Sequence, residues 1–278
     1  MGERKYLLLF LIPLIAIIVL FLFIPLAFVL RDSLLVEGRL SLSNYYAIFT
    51  KRLYINSFKT SLALSLATTA IGTSLGIPLS YLIYKKGSFA RDMLLSLNSI
   101  PLVFSGLVVG FSFIVLLGGS GFITLLFKML FGINPIEFSA FLFTWKGLMI
   151  AYLYFLIPRM VLTMIAAWST FNWNLLDAAI SLGASYSFAF RKVILPLIAP
   201  SVIAGSSLLF AVSMGAFGTA FALTGTGVNI VPLLIYTHIS EVGIELGRAD
   251  ALAVILTLLT TSIIVVYERL FIRRIRRT

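Results

Sequence analysis

Six long apolar stretches limit what this chain can fold into. They cover residues 7–30, 58–84, 94–117, 147–170, 197–222 and 251–271 of a 278-residue sequence. A helix of about 20 apolar residues crosses the hydrocarbon core of a bilayer. Strands of a membrane barrel would instead alternate in polarity over about ten residues. The pattern predicts an all-α integral membrane protein with six transmembrane helices in one domain, 1–278.

Composition supports a membrane protein and argues against several other classes. Hydrophobic residues make up 60% of the chain, charged residues only 11%, and the sequence has no cysteine and one histidine. We therefore expect neither a metal site nor a catalytic cluster. The net charge of +11 comes from basic residues that flank the apolar stretches, which is typical of orientation signals. We expect contact with membrane lipid and no nucleic-acid partner.

The distribution of basic residues also predicts the orientation. If the N-terminus lies inside, the inside segments carry more basic residues than the outside segments. The basic tail beyond Arg269 also follows the last span closely. Positive charge near span ends marks the cytoplasmic side. We expect a multi-pass protein of the cytoplasmic (inner) membrane, with an uncleaved first span and both termini in the cytoplasm.

The loop of about residues 172–196, between the fourth and fifth spans, has the pattern of two short helices. Asn174 and Asp177 suit a helix start, and Gly183 allows a bend. A second short helix is expected from about Ser185, before Pro196 opens the fifth span. The orientation places this helix–bend–helix in the cytoplasm.

The spacing within this loop carries a family resemblance. Asp177-Ala178-Ala179, then Gly183, then Ile194-Leu195-Pro196 resembles the EAA loop of type I ABC importer permeases, and the resemblance covers roughly residues 55–270. The resemblance implies a cytoplasmic coupling helix that binds an ATPase subunit. The coupling positions that it implies are Asp177, Ala178, Ala179, Leu182, Gly183 and Ala184. Asp177 replaces the usual Glu of the family, and Leu182 replaces its usual Asp.

The same resemblance implies the partners. They are two ATP-binding subunits, a second permease subunit (the same chain or a paralogue) and an extracytoplasmic solute-binding protein. The sequence has no G-x-x-x-x-G-K-[ST] pattern, so no P-loop can hold ATP phosphates here. We expect that the chain is not an enzyme and has no cofactor of its own, and that ATP is used by a partner subunit.

A second stretch bears on the solute. Residues 215–218 (Gly-Ala-Phe-Gly) and 232–236 (Pro-Leu-Leu-Ile-Tyr) resemble permeases for sulfate, molybdate, ferric iron, phosphonates and polyamines rather than sugars. This implies a small charged solute of the polyamine, phosphonate or oxyanion class. A secondary transporter or channel that works without an ATPase is the alternative, whereas a membrane enzyme would need a catalytic cluster that the sequence lacks.

Polar residues in the fourth and fifth spans are candidates for a translocation path. Arg159 follows Pro158 within the fourth span, where a charge costs about 2.5–3.5 kcal/mol unless it faces protein or water. Its alternative role is structural, bonding a backbone carbonyl of the broken helix. The candidate path residues are Arg159, Tyr152, Ser206, Ser213, Met214 and Thr219.

Overall fold

The computed structural model describes residues 11–36, 38–240 and 245–275. This part of the chain is helical except for its connections and one small hairpin, in which β1 (Leu35–Val36) pairs antiparallel with β2 (Arg39–Leu40). The helices are α1 (Leu11–Ser33), α2 (Ser43–Thr50), α3 (Arg52–Tyr84), α4 (Ser88–Val103), α5 (Gly106–Leu117), α6 (Phe122–Phe131), α7 (Pro135–Ala140), α8 (Trp145–Thr170), α9 (Asn174–Ser181), α10 (Tyr186–Gly215), α11 (Gly218–Thr224), α12 (Val231–Ser240) and α13 (Leu246–Ile275).

Six helical segments are long and apolar enough to cross a membrane, which confirms the predicted fold class. They are Leu11–Ser33, Arg52–Tyr84, Gly106–Phe131, Trp145–Thr170, Tyr186–Gly215 and Leu246–Leu270. In the first segment, no residue of its most apolar 18-residue stretch is buried in the bundle. Its exposed apolar side chains suit contact with lipid tails.

The third predicted span, 94–117, is not one helix. The chain breaks between α4 and α5, where Ser105 is extended and its hydroxyl accepts a hydrogen bond from the Val108 amide at 3.4 Å. Serine favours this capping position because its oxygen satisfies an otherwise free amide of the first turn. The spanning segment is α5 followed by α6, with a turn between Leu117 and Phe122.

The fifth predicted span, 197–222, is displaced in the structure. Helix α10 begins at Tyr186 and runs to Gly215, so the second short helix of the loop and the fifth span are continuous. A π-helical stretch, Phe190–Ile194, lies just before Pro196, where the regular hydrogen-bond ladder loses a donor. The chain then breaks at Ala216–Phe217 and resumes as α11.

Helices α3, α8 and α10 form the centre of the bundle. Met160 of α8 is fully buried there, and a Cβ added to Gly76 of α3 would lie only 2.6 Å from the Met160 Cβ. The absence of a side chain at Gly76 therefore lets the two helices approach closely. One end of this bundle carries α9 and Gly183, and the opposite end carries His238; we call them the Gly183 end and the His238 end.

Candidate functional site

Helix α9 lies at the Gly183 end, between α8 and α10, and closes with a left-handed turn. Gly183 has φ +89°, where the sequence predicts a bend. The Gly183 amide donates to the Ile180 carbonyl at 2.9 Å, and the Ala184 amide donates to the Ala179 carbonyl at 3.1 Å. These two bonds form a Schellman motif, which satisfies carbonyls at the helix end.

The predicted coupling residues divide into an exposed and a packed group. Asp177, Ala178, Leu182 and Gly183 are exposed, and Leu182 is 89% exposed. Ala179 and Ala184 are instead partly buried against the bundle core. The surface that α9 offers to another protein is therefore made by the exposed group, while the two packed alanines set how closely the element lies on the bundle.

An aromatic cluster that the sequence analysis did not identify ties α9 to the bundle. We call Tyr81, Tyr84, Trp168 and Trp173 the aromatic clamp. The indole NH of Trp173 donates to the Tyr84 hydroxyl at 3.0 Å, and the two rings stack with centroids 5.8 Å apart. The indole NH of Trp168 donates to Ser80 at 2.9 Å. The clamp therefore connects the start of α9 with the ends of α3 and α8.

Tyr186 and Lys85 extend the clamp toward α10. The hydroxyls of Tyr81 and Tyr186 lie 3.2 Å apart, and the Lys85 ammonium lies 4.8 Å from the centre of the Tyr81 ring. A hydrogen bond with Tyr81 raises the pKa of Lys85 above its usual value. The signal in the sequence was the clustering of Tyr and Trp at span ends, which is common at membrane interfaces.

Two of the candidate path residues come together at a cavity. Arg159 of α8 and Thr219 of α11 both line a cavity of about 280 Å³, where the break between α4 and α5 meets the break between α10 and α11. The Arg159 guanidinium donates to the Phe155 carbonyl at 3.1 Å. Thr219 is only 1% exposed. Tyr152 stands behind this cavity, and its hydroxyl donates to the Ala216 carbonyl at 2.5 Å.

The other three candidates lie elsewhere. Ser213 bonds Thr68 at 2.9 Å between hydroxyls, and Met214 is fully packed in the protein interior. Ser206 lines a separate cavity of about 320 Å³ and lies 3.0 Å from the Tyr267 hydroxyl. The six residues therefore do not form one continuous lining. Among the described residues, no group of three or more His, Cys, Asp or Glu side chains could hold a metal ion.

Residues 72–277 match the model of the binding-protein-dependent transport system inner membrane component. The chain belongs to this family. It is a permease subunit of a binding-protein-dependent ABC importer, a multi-pass protein of the inner membrane, and ATP hydrolysis belongs to a separate subunit in this family. Of the two functions that the sequence left open, the importer is therefore the correct one.

Curated relatives of this permease carry different solutes. It is 28% identical to the molybdenum transport system permease ModB of Haemophilus influenzae, over 74% of this chain and 90% of ModB. It is 29% identical to the trehalose permease SugB of Mycobacterium tuberculosis (86% and 81%) and 31% identical to the spermidine/putrescine permease PotB of Haemophilus influenzae (91% and 89%). Sequence identity is nearly the same for the molybdenum, trehalose and polyamine permeases. The expected distinction from sugar permeases is therefore not supported.

The permease fold also matches a solved transporter. A chain of the bacterial alginate ABC transporter, in complex with a periplasmic protein bound to an alginate pentasaccharide, superimposes with a TM-score of 0.78. The match covers 98% of this permease and 96% of that chain at 17% identity. At this identity the likeness concerns the fold, and it supports the all-helical architecture described above.

Proposed function

We propose that this permease passes a small charged solute from an external binding protein to the cytoplasm. We further propose that an ATPase subunit binds α9 and its closing turn. The single observation that carries the proposal is the exposed surface of Asp177, Ala178 and Leu182 on a short helix at one end of the bundle. Leu182 and the exposed Phe188 line the same open cavity beside α9, and adjoining exposed apolar side chains mark a contact surface for another protein.

The clamp supplies a path by which movement of α9 would reach the membrane helices. Trp173 precedes α9 and contacts the ends of two central helices through Tyr84 and Trp168. Movement of α9 would therefore displace α3 and α8 together. A loop without these contacts could move without displacing the helices. In this proposal, closure of the ATPase dimer opens the spans outward, and hydrolysis returns them to the inward-open arrangement.

The proposed complex contains two ATPase subunits, a second permease and the solute-binding protein. Both termini and α9 lie on the cytoplasmic side, and the His238 end faces the binding protein. The solute belongs to the polyamine, phosphonate or oxyanion class. Permease relatives of the molybdenum and polyamine systems fall within this range, whereas the trehalose relative falls outside it.

Co-purification tests the proposed contact. The tagged chain is extracted in mild detergent from its own cells, and co-purifying proteins are identified by mass spectrometry. We expect an ATPase subunit with the wild type and at least a tenfold loss with Ala178→Arg, because a long charged side chain would occupy the contact surface. Gly183→Arg should have the same effect.

Ala140→Arg is the matched control, since Ala140 is an exposed alanine at the end of α7. It should leave the recovered ATPase and the membrane level of the chain unchanged. Equal recovery with Ala178→Arg and wild type would refute the contact. Recovery of the chain alone, with solute flux into liposomes that needs no ATP, would refute the proposed function.

A further inference from the structure

We propose that the cavity at Arg159 is an anion site on the translocation path, and that it takes a tetrahedral oxyanion such as sulfate or molybdate. This inference rests on the proposed function and narrows its solute class. The juxtaposition that carries it is a guanidinium, a buried hydroxyl and the amino-terminal end of a helix around one cavity in the membrane-spanning part of the protein.

Arg159 supplies the positive charge. Among the described residues, no carboxylate forms an ion pair with it, and none of the residues that line the cavity is acidic. Its guanidinium contacts the Phe155 carbonyl and the Phe155 ring, whose centre lies 5.4 Å from the guanidinium carbon. A guanidinium has five N–H donors, so donors remain for a ligand. Its planar fork also suits paired oxygen atoms of an oxyanion.

Thr219 supplies a second donor. The residue is buried, it lines the cavity, and the structure gives its hydroxyl no hydrogen bond. A hydroxyl at the wall of the cavity can donate a hydrogen bond to a ligand or water there. The nearby carbonyl of Ala216 is already occupied by the Tyr152 hydroxyl. The two polar side chains that line the cavity, Arg159 and Thr219, can both donate hydrogen bonds to a ligand.

Helix α5 begins at the cavity and adds to the positive potential. Gly106 lines the cavity and is the first residue of this 12-residue helix. The amides of a first helical turn and the helix dipole favour an anion. A Cβ on Gly106 would lie 2.9 Å from the Thr219 hydroxyl oxygen, so the glycine allows α5 and α11 to meet here.

The size and charge of the site select among the solute classes. At about 280 Å³, the cavity far exceeds the roughly 10–15 Å³ that a single water needs, so a small ion with part of its hydration shell has room. A polyamine would place its ammonium groups beside the unpaired guanidinium and would be repelled. An oxyanion instead accepts hydrogen bonds from every donor described above.

Direct binding tests this site in the full-length chain. The purified protein is placed in lipid nanodiscs, and the binding of radiolabelled sulfate is measured with unlabelled molybdate or spermidine as competitor. We expect saturable binding that molybdate displaces and spermidine does not. Arg159→Gln should weaken sulfate binding about tenfold or more, because it removes a charge-assisted contact. Arg159→Lys should fall between Gln and wild type.

Two matched controls separate the site from general effects of charge and folding. Lys128→Gln removes a charge from an exposed side chain on α6, and Thr257→Val removes a hydroxyl that bonds only its own helix. Both should bind sulfate as the wild type does, whereas Thr219→Val should bind more weakly. A monodisperse elution profile and unchanged helix content verify that each variant is folded.

Results that would overturn the anion site differ from results that would overturn the proposed ATPase contact. Absence of saturable sulfate binding by the folded wild type, binding that Arg159→Gln and Thr219→Val leave unchanged, or displacement by spermidine would each overturn the anion site. The same preparations are assayed for the co-purified ATPase. Loss of sulfate binding in Arg159→Gln with the ATPase retained supports the site, whereas absence of an ATPase from the wild type counts against the coupling proposal alone.

Discussion

At the scale of the residue, Gly183 determines how α9 ends. Its positive φ places it in the left-handed region, which costs other L-residues about 1–2 kcal/mol. No atom lies within 4 Å of a Cβ added there, so backbone conformation, and not crowding, is what favours glycine. Asparagine tolerates this region better than alanine.

This argument predicts the effect of a small substitution at the turn. Gly183→Ala should weaken the Schellman bonds by about 1 kcal/mol, which corresponds to amide hydrogen exchange about fivefold faster at Ala184. Gly183→Asn should have a smaller effect. Hydrogen exchange followed by mass spectrometry measures both.

The matched control is Gly87→Ala. Gly87 also has open space around it, but its φ is −57°, so alanine should be tolerated there. Exchange that is equally fast in Gly87→Ala and Gly183→Ala would contradict the role of the left-handed turn.

At the scale of the element, the aromatic clamp determines whether α9 moves with the bundle. Trp173 both stacks on Tyr84, at an interplanar angle of 17°, and donates a hydrogen bond to it. Phe171 also packs edge to face against Trp173, with ring centres 4.8 Å apart. Several aromatic contacts therefore converge on one indole.

Loss of this indole should loosen α9. The chain has no cysteine, so spin labels can be attached at Ser88→Cys and Ser181→Cys and their distance distribution measured by electron paramagnetic resonance. We expect Trp173→Ala to broaden the distribution, because stacking and the hydrogen bond are both lost. Trp173→Phe keeps an aromatic ring and should broaden it less.

Trp145→Ala is the control for loss of a tryptophan. Trp145 begins α8 and is 48% exposed, so its removal should leave the distribution as in the wild type. A distribution that Trp173→Ala does not change would mean that the clamp does not hold α9.

At the scale of the whole molecule, the His238 end joins segments that are far apart in the sequence. The imidazole Nε2 of His238 lies 3.0 Å from the Tyr54 hydroxyl, and its Nδ1 lies 3.1 Å from a Glu245 carboxylate oxygen. Arg248 also bonds Glu245. Burial lowers the pKa of His238, and it outweighs the opposing effect of Glu245.

The lowered pKa predicts how stability depends on pH. The native state favours neutral His238, whereas the unfolded chain takes up a proton near pH 6.5. The stabilisation is therefore complete above about pH 6.5 and declines as the pH falls toward the native pKa. Since this is the only histidine in the sequence, His238→Asn should flatten the fall in Tm between about pH 7.5 and 5.5.

Thermal unfolding in detergent, monitored by circular dichroism, measures this dependence. The lower limit of this pH window stays above the ordinary carboxylate pKa values of about 4. A Tm that rises on acidification would show that the ion pair with Glu245 dominates over burial, and an unchanged slope in His238→Asn would assign the pH dependence to another group.

The number of membrane helices and the position of α9 could be predicted from the sequence, because both depend on local properties. Hydropathy over about 20 residues identifies a span without knowledge of its neighbours. The bend at Gly183 likewise follows from one residue type. The breaks at Ser105 and Ala216 were missed, since apolar residues continue on both sides and hydropathy alone cannot locate an interruption.

Which polar residues meet depends on how the helices pack. Arg159 and Thr219 share a cavity although 60 residues separate them, whereas Ser213 and Met214 of the same predicted path are used in packing. Trp173 and Tyr84 are similarly distant in sequence. A one-dimensional pattern records which face of its own helix a residue occupies, but helix rotation and packing decide what that face contacts. Local sequence properties therefore specify six membrane-spanning segments and a short helix after the fourth, whereas the packing of α3, α5, α8 and α11 creates the cavity and the clamp.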